Sequence, residues 1–542
     1  MLFLGEDKIS RISVSFGNNE NIAPITPLNP VEVYNNTRPS DWLTMPTPED
    51  NEIYLLFHIP DGASSLLAFS VSCTGNYVVE LGTVSDGNFV QLSSTTVQSG
   101  KKYEAELFAD DYGNITTTGK RQVMIKISGT AISQWIPKTH SKKTRPSNFA
   151  QWNIVEVACR LSNGNKFQVG NNSGNTALRY IQYFSWYGEN KLTSMSNMFS
   201  NCKSLMSILS LNTQNVTKCD SCFNGCSSLI AIPQLNTSSI TNMSNMFNGC
   251  RSIACIPEMD TTNVTNMSQT FLGCYSLVKI PTMNTQNVTN MSKMFSDCFS
   301  VTSIPALNTK AVTNMNRMFA GCYSLTSIES LDTSSVIDIG YLFYNCCSLV
   351  SIPEMDTRNV VTMQGTFSKC FSLKTIPNMN TKKVTNMSSM FNECGSLISI
   401  PAMDTNLVTD MSYMFNGCYS LTSIPQMDTQ LVTSMSNMFI YCYCLTSIPM
   451  LNTTKVTNMT NAFSSCFALS SVLLDASISD WAGCSFSLGD CSLPYASIIA
   501  LFNSLPTITS TATITLTGNP GASELTDADK LIATEKGWTL TL

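Results

Sequence analysis

Twelve cysteines, Cys202, Cys226, Cys250 and onward to Cys466, recur every 24 residues without an insertion or deletion, each three residues behind a phenylalanine. Thiols in such number could form disulfides, hold metal or carry redox chemistry. Stacked coils roughly 5 Å apart would bring neighbouring Cys α-carbons within bridging range. Side chains in register point the same way, however, which suits a bridge poorly. The start, Met1-Leu2-Phe3-Leu4, is too short and lacks the basic leader for a secretion signal, so the thiols are read as reduced and buried. Cys219-x-x-Cys222 has the spacing of a redox or zinc half-site. Both stand where other repeats carry Met, as at Met243 and Met246, and are read as core replacements. The remaining cysteines (Cys73, Cys159, Cys255, Cys347, Cys444, Cys484 and Cys491) show no metal-ligand pattern.

Catalysis finds no constellation. The two histidines, His58 in a strand-like run and His140 in a basic stretch, have no motif around them. No nucleophile elbow, phosphate-cradling loop or spaced carboxylate pair stands out. Asn or Asp followed by Thr, as in Asn236-Thr237 and Asp260-Thr261, appears in eleven consecutive units. These residues are read as turn formers, because a calcium site needs several converging oxygens.

The most suggestive functional pattern lies directly after the repeat cysteine, at Tyr275, Phe299, Tyr323, Phe371, Tyr419, Tyr443 and Phe467. Stacked at coil spacing, these rings would form a stripe suited to sugar rings or an extended polymer. They could equally cover a corner of the fold. Lys203, Ser227, Arg251 and Gly395 at the same position elsewhere favour the covering role.

The elements that must position these residues follow from the period, which marks stacked supersecondary units. In the unit from Val264 to Asn287, the spacing of Val264, Met267, Phe271 and Cys274 predicts one apolar face of a short helix. Thr265 or Asn266 would cap that helix and Gly273 release it. Leu277, Ile280 and Met283 then give a short extended side, stacking into a narrow parallel sheet. Nine repeats place Pro after the Ile, where the strand should end.

Around this body, residues 1–28 read as an N-terminal arm and 29–136 as a β-sandwich, from runs such as Ile53–Phe57 and Val123–Ile127 between turn residues. Residues 137–150 read as a basic linker, 151–194 as an N-terminal solenoid cap, 195–474 as the solenoid and 475–542 as a C-terminal α/β cap. In the last of these, Thr526 and Asp529 have capping-box spacing and Gly537 fits a helix stop. Charged residues are 13% of the chain with a net charge of −6, which argues against nucleic acid. No apolar stretch is long enough to insert in a membrane. No cofactor is expected.

The unit Asn-Val-Thr-Asn-Met-Ser-x-Met-Phe-x-x-Cys-x-Ser-Leu, nearly intact at 287–301 and 383–397, resembles the BspA-like leucine-rich-repeat surface proteins. The resemblance implies an α/β leucine-rich-repeat solenoid of about twelve 24-residue coils, here preceded by the all-β sandwich. It also implies adhesion or recognition at surfaces, without chemistry. The tail from Leu525 to Lys530 with Lys536–Leu540, and the opening Phe3–Ser10, are similar to phage virion and tail-associated repeat proteins. The expected function is therefore a noncatalytic virion protein, a tail fibre or similar appendage. Other virion proteins would bind its N-terminal region, and a host-surface glycan or protein would bind its solenoid. The chain could also form a homo-oligomer. The rival reading is a bacterial cell-surface adhesin.

Overall fold

The computed structural model describes residues 26–138, 153–170, 180–474 and 484–542. Most of the expected arm and linker, and His140 with them, lie outside these residues.

β1 (Glu52–Pro60) is apolar along nearly its whole length and is buried on both faces. Ile53, Leu55, Phe57 and Ile59 enter the main core, whereas Tyr54 and Leu56 join Trp42, Met124, Val155 and Tyr183 in a second cluster on the opposite face. Tyr34, on helix α1 (Pro30–Thr37), packs against that second cluster. The sequence reading missed this helix, although Asn29 caps it by accepting from the Val31 amide and Pro30 opens its first turn. Arg38 at its end pairs with the buried Glu156 at 2.9 Å, and the Ser207 hydroxyl donates to the Pro30 carbonyl.

The strands expected to form the β-sandwich are joined by hydrogen bonds into one sheet, which continues beyond Pro137 into the expected cap. β2 (Ser64–Ser85), β3 (Asn88–Gln98), β4 (Lys102–Phe108) and β5 (Lys120–Pro137) combine with β1, β6 (Ile154–Arg160), β7 (Lys166–Phe167), β8 (Tyr183–Trp186) and β9 (Ser207–Ser210). The order is β3-β2-β5-β1-β6-β8-β9, with β4 on β2 and β7 on β5. Register shifts between Ser72, Thr74 and Tyr77 interrupt the pairing of the long β2 with β5, and both halves of β2 feed the same core through Phe69 and Tyr77. Apart from the parallel pair of β7 with β5, the sheet is antiparallel through β6 and parallel from β6 to β9. Tyr183 pairs with Ser207, 24 residues on, so the cap already runs in the register of the solenoid.

The repeats hold no short helix, which corrects the α/β reading of this region. Positive φ falls at two positions in each coil, for example Gln269 at 58° and Gly273 at 70°. The Thr270 amide donates to the Met267 carbonyl at 3.3 Å and the Cys274 amide to Phe271 at 3.1 Å. With positive φ only at the third residue of each four, these are consecutive type II turns. Alternate amides leave the coil: Met267, Gln269, Phe271 and Gly273 donate to the carbonyls of Asn290, Ser292, Met294 and Ser296 at 2.8–3.0 Å. A helix would turn all these amides inward along its own axis, whereas the double turn links neighbouring coils while keeping the same apolar spacing. The isolated parallel bridges run continuously through Asn242, Asn266, Asn290 and Asn314. The side carrying Leu277 and Ile280 shows only scattered bridges, consistent with the prolines removing donors there.

Gly249 sits in the second left-handed position at φ 72°, and a Cβ there would meet nothing closer than 3.6 Å. Gly249→Ala should therefore cost about 1 kcal/mol through backbone strain alone, while Gly249→Asn costs less, since Asn tolerates this region. Thermal unfolding of the two variants tests the assignment, and an Ala variant as stable as the parent would contradict it.

At the C-terminus, Met459 pairs with Phe486 and the chain continues through β10 (Phe486–Ser487), α2 (Tyr495–Ser504), β11 (Ala512–Thr515), α3 (Asp527–Thr534) and β12 (Trp538–Thr541). β10, β11 and β12 form a parallel sheet, so helix-and-strand coils are found here. Both hydrogen bonds of the capping box join Thr526 and Asp529. With these units the stack reaches about fourteen coils.

Candidate recognition surface

The solenoid interior is built from two ladders that offer stability and little reactivity. Twelve phenylalanines from Phe199 to Phe463 stack in succession, with centroids such as Phe319–Phe343 at 5.7 Å and 5° between planes. The stack meets Phe184 at one end and Phe486 at the other, and is continued by Phe167 and Trp135 in the sheet and by Trp538 in the cap. Beside it, each thiol from Cys226 to Cys466 donates to the carbonyl of the phenylalanine one coil back, as Cys274 does to Phe247 at 3.2 Å. Cys491 extends this row by donating to Phe463. Its spacing of 25 residues from Cys466 hid it from a search at the strict period. All these cysteines are unbridged. Burial pushes the Cys322 and Cys442 thiols up to about 12, far from the thiolate range of a reactive cysteine. Cys219 and Cys222 are fully buried in the same core, as their Met-equivalent positions suggested.

His58 is buried, with its ring edge-on to Trp42 at 4.8 Å and Nε2 without a partner. Burial, reinforced by Lys120, lowers its pKa to about 4, so it is neutral at ordinary pH. Among the described residues, no group of three His, Cys, Asp or Glu could hold a metal, and no helix is long and apolar enough to cross a membrane.

The Asn/Asp-Thr pairs act as turn locks. Asp260 Oδ1 accepts from the Thr262 amide, and the Thr261 hydroxyl donates to the Asn284 carbonyl of the next coil at 2.8 Å. The threonine side of this device is fully buried, repeats through Thr429, and was not foreseen.

The seven aromatic residues fall on one row, as expected, but they do not make a continuous platform. Tyr275, Phe299 and Tyr323 stack at 4.4 and 4.7 Å, and Tyr419, Tyr443 and Phe467 at 5.1 and 5.0 Å, with planes within 21°. Inside each triplet the ring faces cover one another and the edges face outward. Arg251 lies over Tyr275 at 5.0 Å and closes that end. Phe371 stands between the triplets with Cys347 on one side and Gly395 on the other, and it is 40% exposed. Tyr441, two residues before Tyr443 and 43% exposed, adds an edge-on ring that the one-position pattern omitted.

Parallel coils closed by unlike units at both ends define a repeat solenoid whose variable residues lie on its surface. A family model described as "Mycoplasma protein of unknown function, DUF285" matches residues 193–302, 275–375 and 361–481, and the chain belongs to that family. These matches cover the units that resemble BspA-like repeats. Similar solved structures include a leucine-rich repeat protein from Eubacterium ventriosum, at 17% identity over 64% of this chain and 91% of that one, TM-score 0.33. The Drosophila Toll–Spatzle complex is similar at 14% identity over 67% and 53%, TM-score 0.23. The plant peptide hormone receptor RGFR1 in complex with RGF2 gives 14% over 68% and 60%, TM-score 0.23. No curated protein matches the chain.

Proposed function

We propose that this chain is a noncatalytic recognition protein, carried on a phage virion as a tail fibre or similar appendage, with its solenoid presented to the host surface. The observation that carries the recognition reading is the division of labour within each coil. The interior is an inert stack of rings and protonated thiols, while exposed aromatic rings are grouped along one outer row. Exposed apolar groupings of this kind mark interaction sites. The N-terminal sheet shares one core cluster with the coils, and so would transmit a rigid attachment from the particle to the solenoid. The virion placement rests on the similarity of the two chain ends to phage proteins.

A bacterial surface adhesin is the second reading, favoured by the family to which the repeats belong. Mass spectrometry of purified virions separates the two. Recovery of the chain with the particles supports the first, and recovery solely in a bacterial envelope fraction rejects it. Soluble full-length protein should also bind intact host cells without turning over surface glycans.

A further inference from the structure

We propose that the break in the aromatic row at Cys347 is a binding gap for a single pyranose ring, entered edge-first by a terminal or branch sugar. This rests on the surface-recognition reading and assigns it a ligand class.

Neighbouring rings in the row lie 4.4–5.1 Å apart, so Tyr323 and Phe371, two coils apart, stand roughly 9–10 Å from each other, twice the usual spacing of stacked strands. One ring fits between them in face contact with both. Cys347 replaces the aromatic residue there with a short side chain, whose thiol turns to the Asn345 side-chain oxygen at 3.3 Å. Tyr323 is 39% exposed and Phe371 40%. The second break, at Gly395, is not equivalent, because Tyr419 leans into it: a Cβ on Gly395 would lie 3.1 Å from the Tyr419 ring.

The border of the gap is polar. The Asn345 amide reaches the Tyr323 hydroxyl at 3.3 Å, and Lys369, two residues before Phe371, pairs with Glu393 at 3.6 Å. A pyranose presents C–H groups on its faces and hydroxyls around its edge. It would use the ring faces through apolar contact and the hydroxyl, amide and ammonium groups through hydrogen bonds. A phenylalanine side chain from a protein would use only the faces, and a tyrosine or tryptophan would add a single polar group, against the several hydroxyls of a sugar edge. Orientation narrows the ligand further. The planes of the row lie across the solenoid axis, whereas the rings of an extended polysaccharide lie along its chain, so a linear polymer laid on the stripe could not enter. A chain end or side branch can.

The test uses the full-length protein and saturation-transfer NMR with methyl glucopyranoside, methyl galactopyranoside and N-acetylglucosamine, and with N-acetyltryptophanamide as the aromatic probe. At least one sugar should bind. Cys347→Tyr, which completes the ring row and removes only the Cys347 thiol, should weaken that binding at least about tenfold while leaving the melting temperature unchanged or higher. Phe371→Ala should weaken it similarly. Unchanged sugar binding in Cys347→Tyr, binding of the tryptophan derivative alone, or no sugar binding at all would each overturn the assignment. Whole-cell binding is measured in parallel. If cells bind the parent and Cys347→Tyr equally, the gap is rejected while surface recognition stands; if cells bind neither, the surface reading itself fails.

Discussion

Raising the pH from about 8 to 11 should unfold the solenoid steeply, under reducing conditions that keep every thiol free. Burial holds the ten thiols from Cys226 to Cys442 well above the ordinary cysteine range. An unfolded cysteine releases its proton near pH 8.5. Below that pH both states are protonated and the thiols leave stability unaffected. Above it the unfolded chain sheds protons that the folded chain keeps, so stability falls by about 1.4 kcal/mol per thiol per pH unit. Ten thiols acting together give about 14 kcal/mol per unit, comparable to the entire stability of a typical domain. The decline continues until the folded thiols themselves ionise, near 12 for Cys322 and Cys442. Circular dichroism against pH, with urea titrations at each point, measures the slope. A double variant, Cys298→Ala with Cys322→Ala, should flatten it by about 3 kcal/mol per unit, whatever its stability at neutral pH. Stability that stays level to pH 11 would contradict the buried-thiol arrangement.

Phe319→Ala should be among the most damaging single changes. The side chain is fully buried, and its ring stacks on Phe295 at 5.9 Å and Phe343 at 5.7 Å. Truncation leaves a cavity in the middle of the row, at a cost of about 3–5 kcal/mol, and removes two ring contacts. The neighbours cannot close the space, because each is held in register by its own amide: Phe295 donates to Met318, and Phe343 to Thr366. Phe319→Leu should recover more than half of the loss. The exposed Tyr413→Ala should stay within about 0.5 kcal/mol of the parent. Equilibrium urea unfolding of the three variants provides the ranking, and equal stabilities for Phe319→Ala and Tyr413→Ala would refute the central role of the ring stack.

The period and the buried positions could be read from the chain, because a 24-residue recurrence of Phe, Cys, Leu and Val leaves one way to bury them all. The backbone path could not. Val264, Met267, Phe271 and Cys274 satisfy helical spacing and a pair of type II turns equally well, and the choice is made by amides that bond to the adjacent coil. Glycine at Gly225, Gly249, Gly273, Gly321 and Gly417 did signal a left-handed residue, but the same signal ends helices. In the N-terminal region, apolar runs in β1 and β5 between turn residues identified strands without showing that the sheet continues into β6 and the coils, since pairing between distant strands leaves no local trace. For the candidate surface, the row of aromatic residues was legible and its consequence was not. Spacing fixed which rings adjoin, while the turning of their faces toward one another depends on packing against the coil.

The left-handed positions recur twice in every coil. They accept Gln269, Lys293, Arg317, Tyr341, Ser389 and Tyr413 at nearly the same φ, so the conformation there is imposed by the bonds to both flanking coils rather than by the residue. A gene encoding such units can exchange, duplicate or delete 24-codon segments by recombination and still specify a foldable product, provided the two ends are preserved. Lineages carrying this chain should therefore differ in copy number by whole units, and reach new ligands by shuffling outward-facing codons without redesigning the interior.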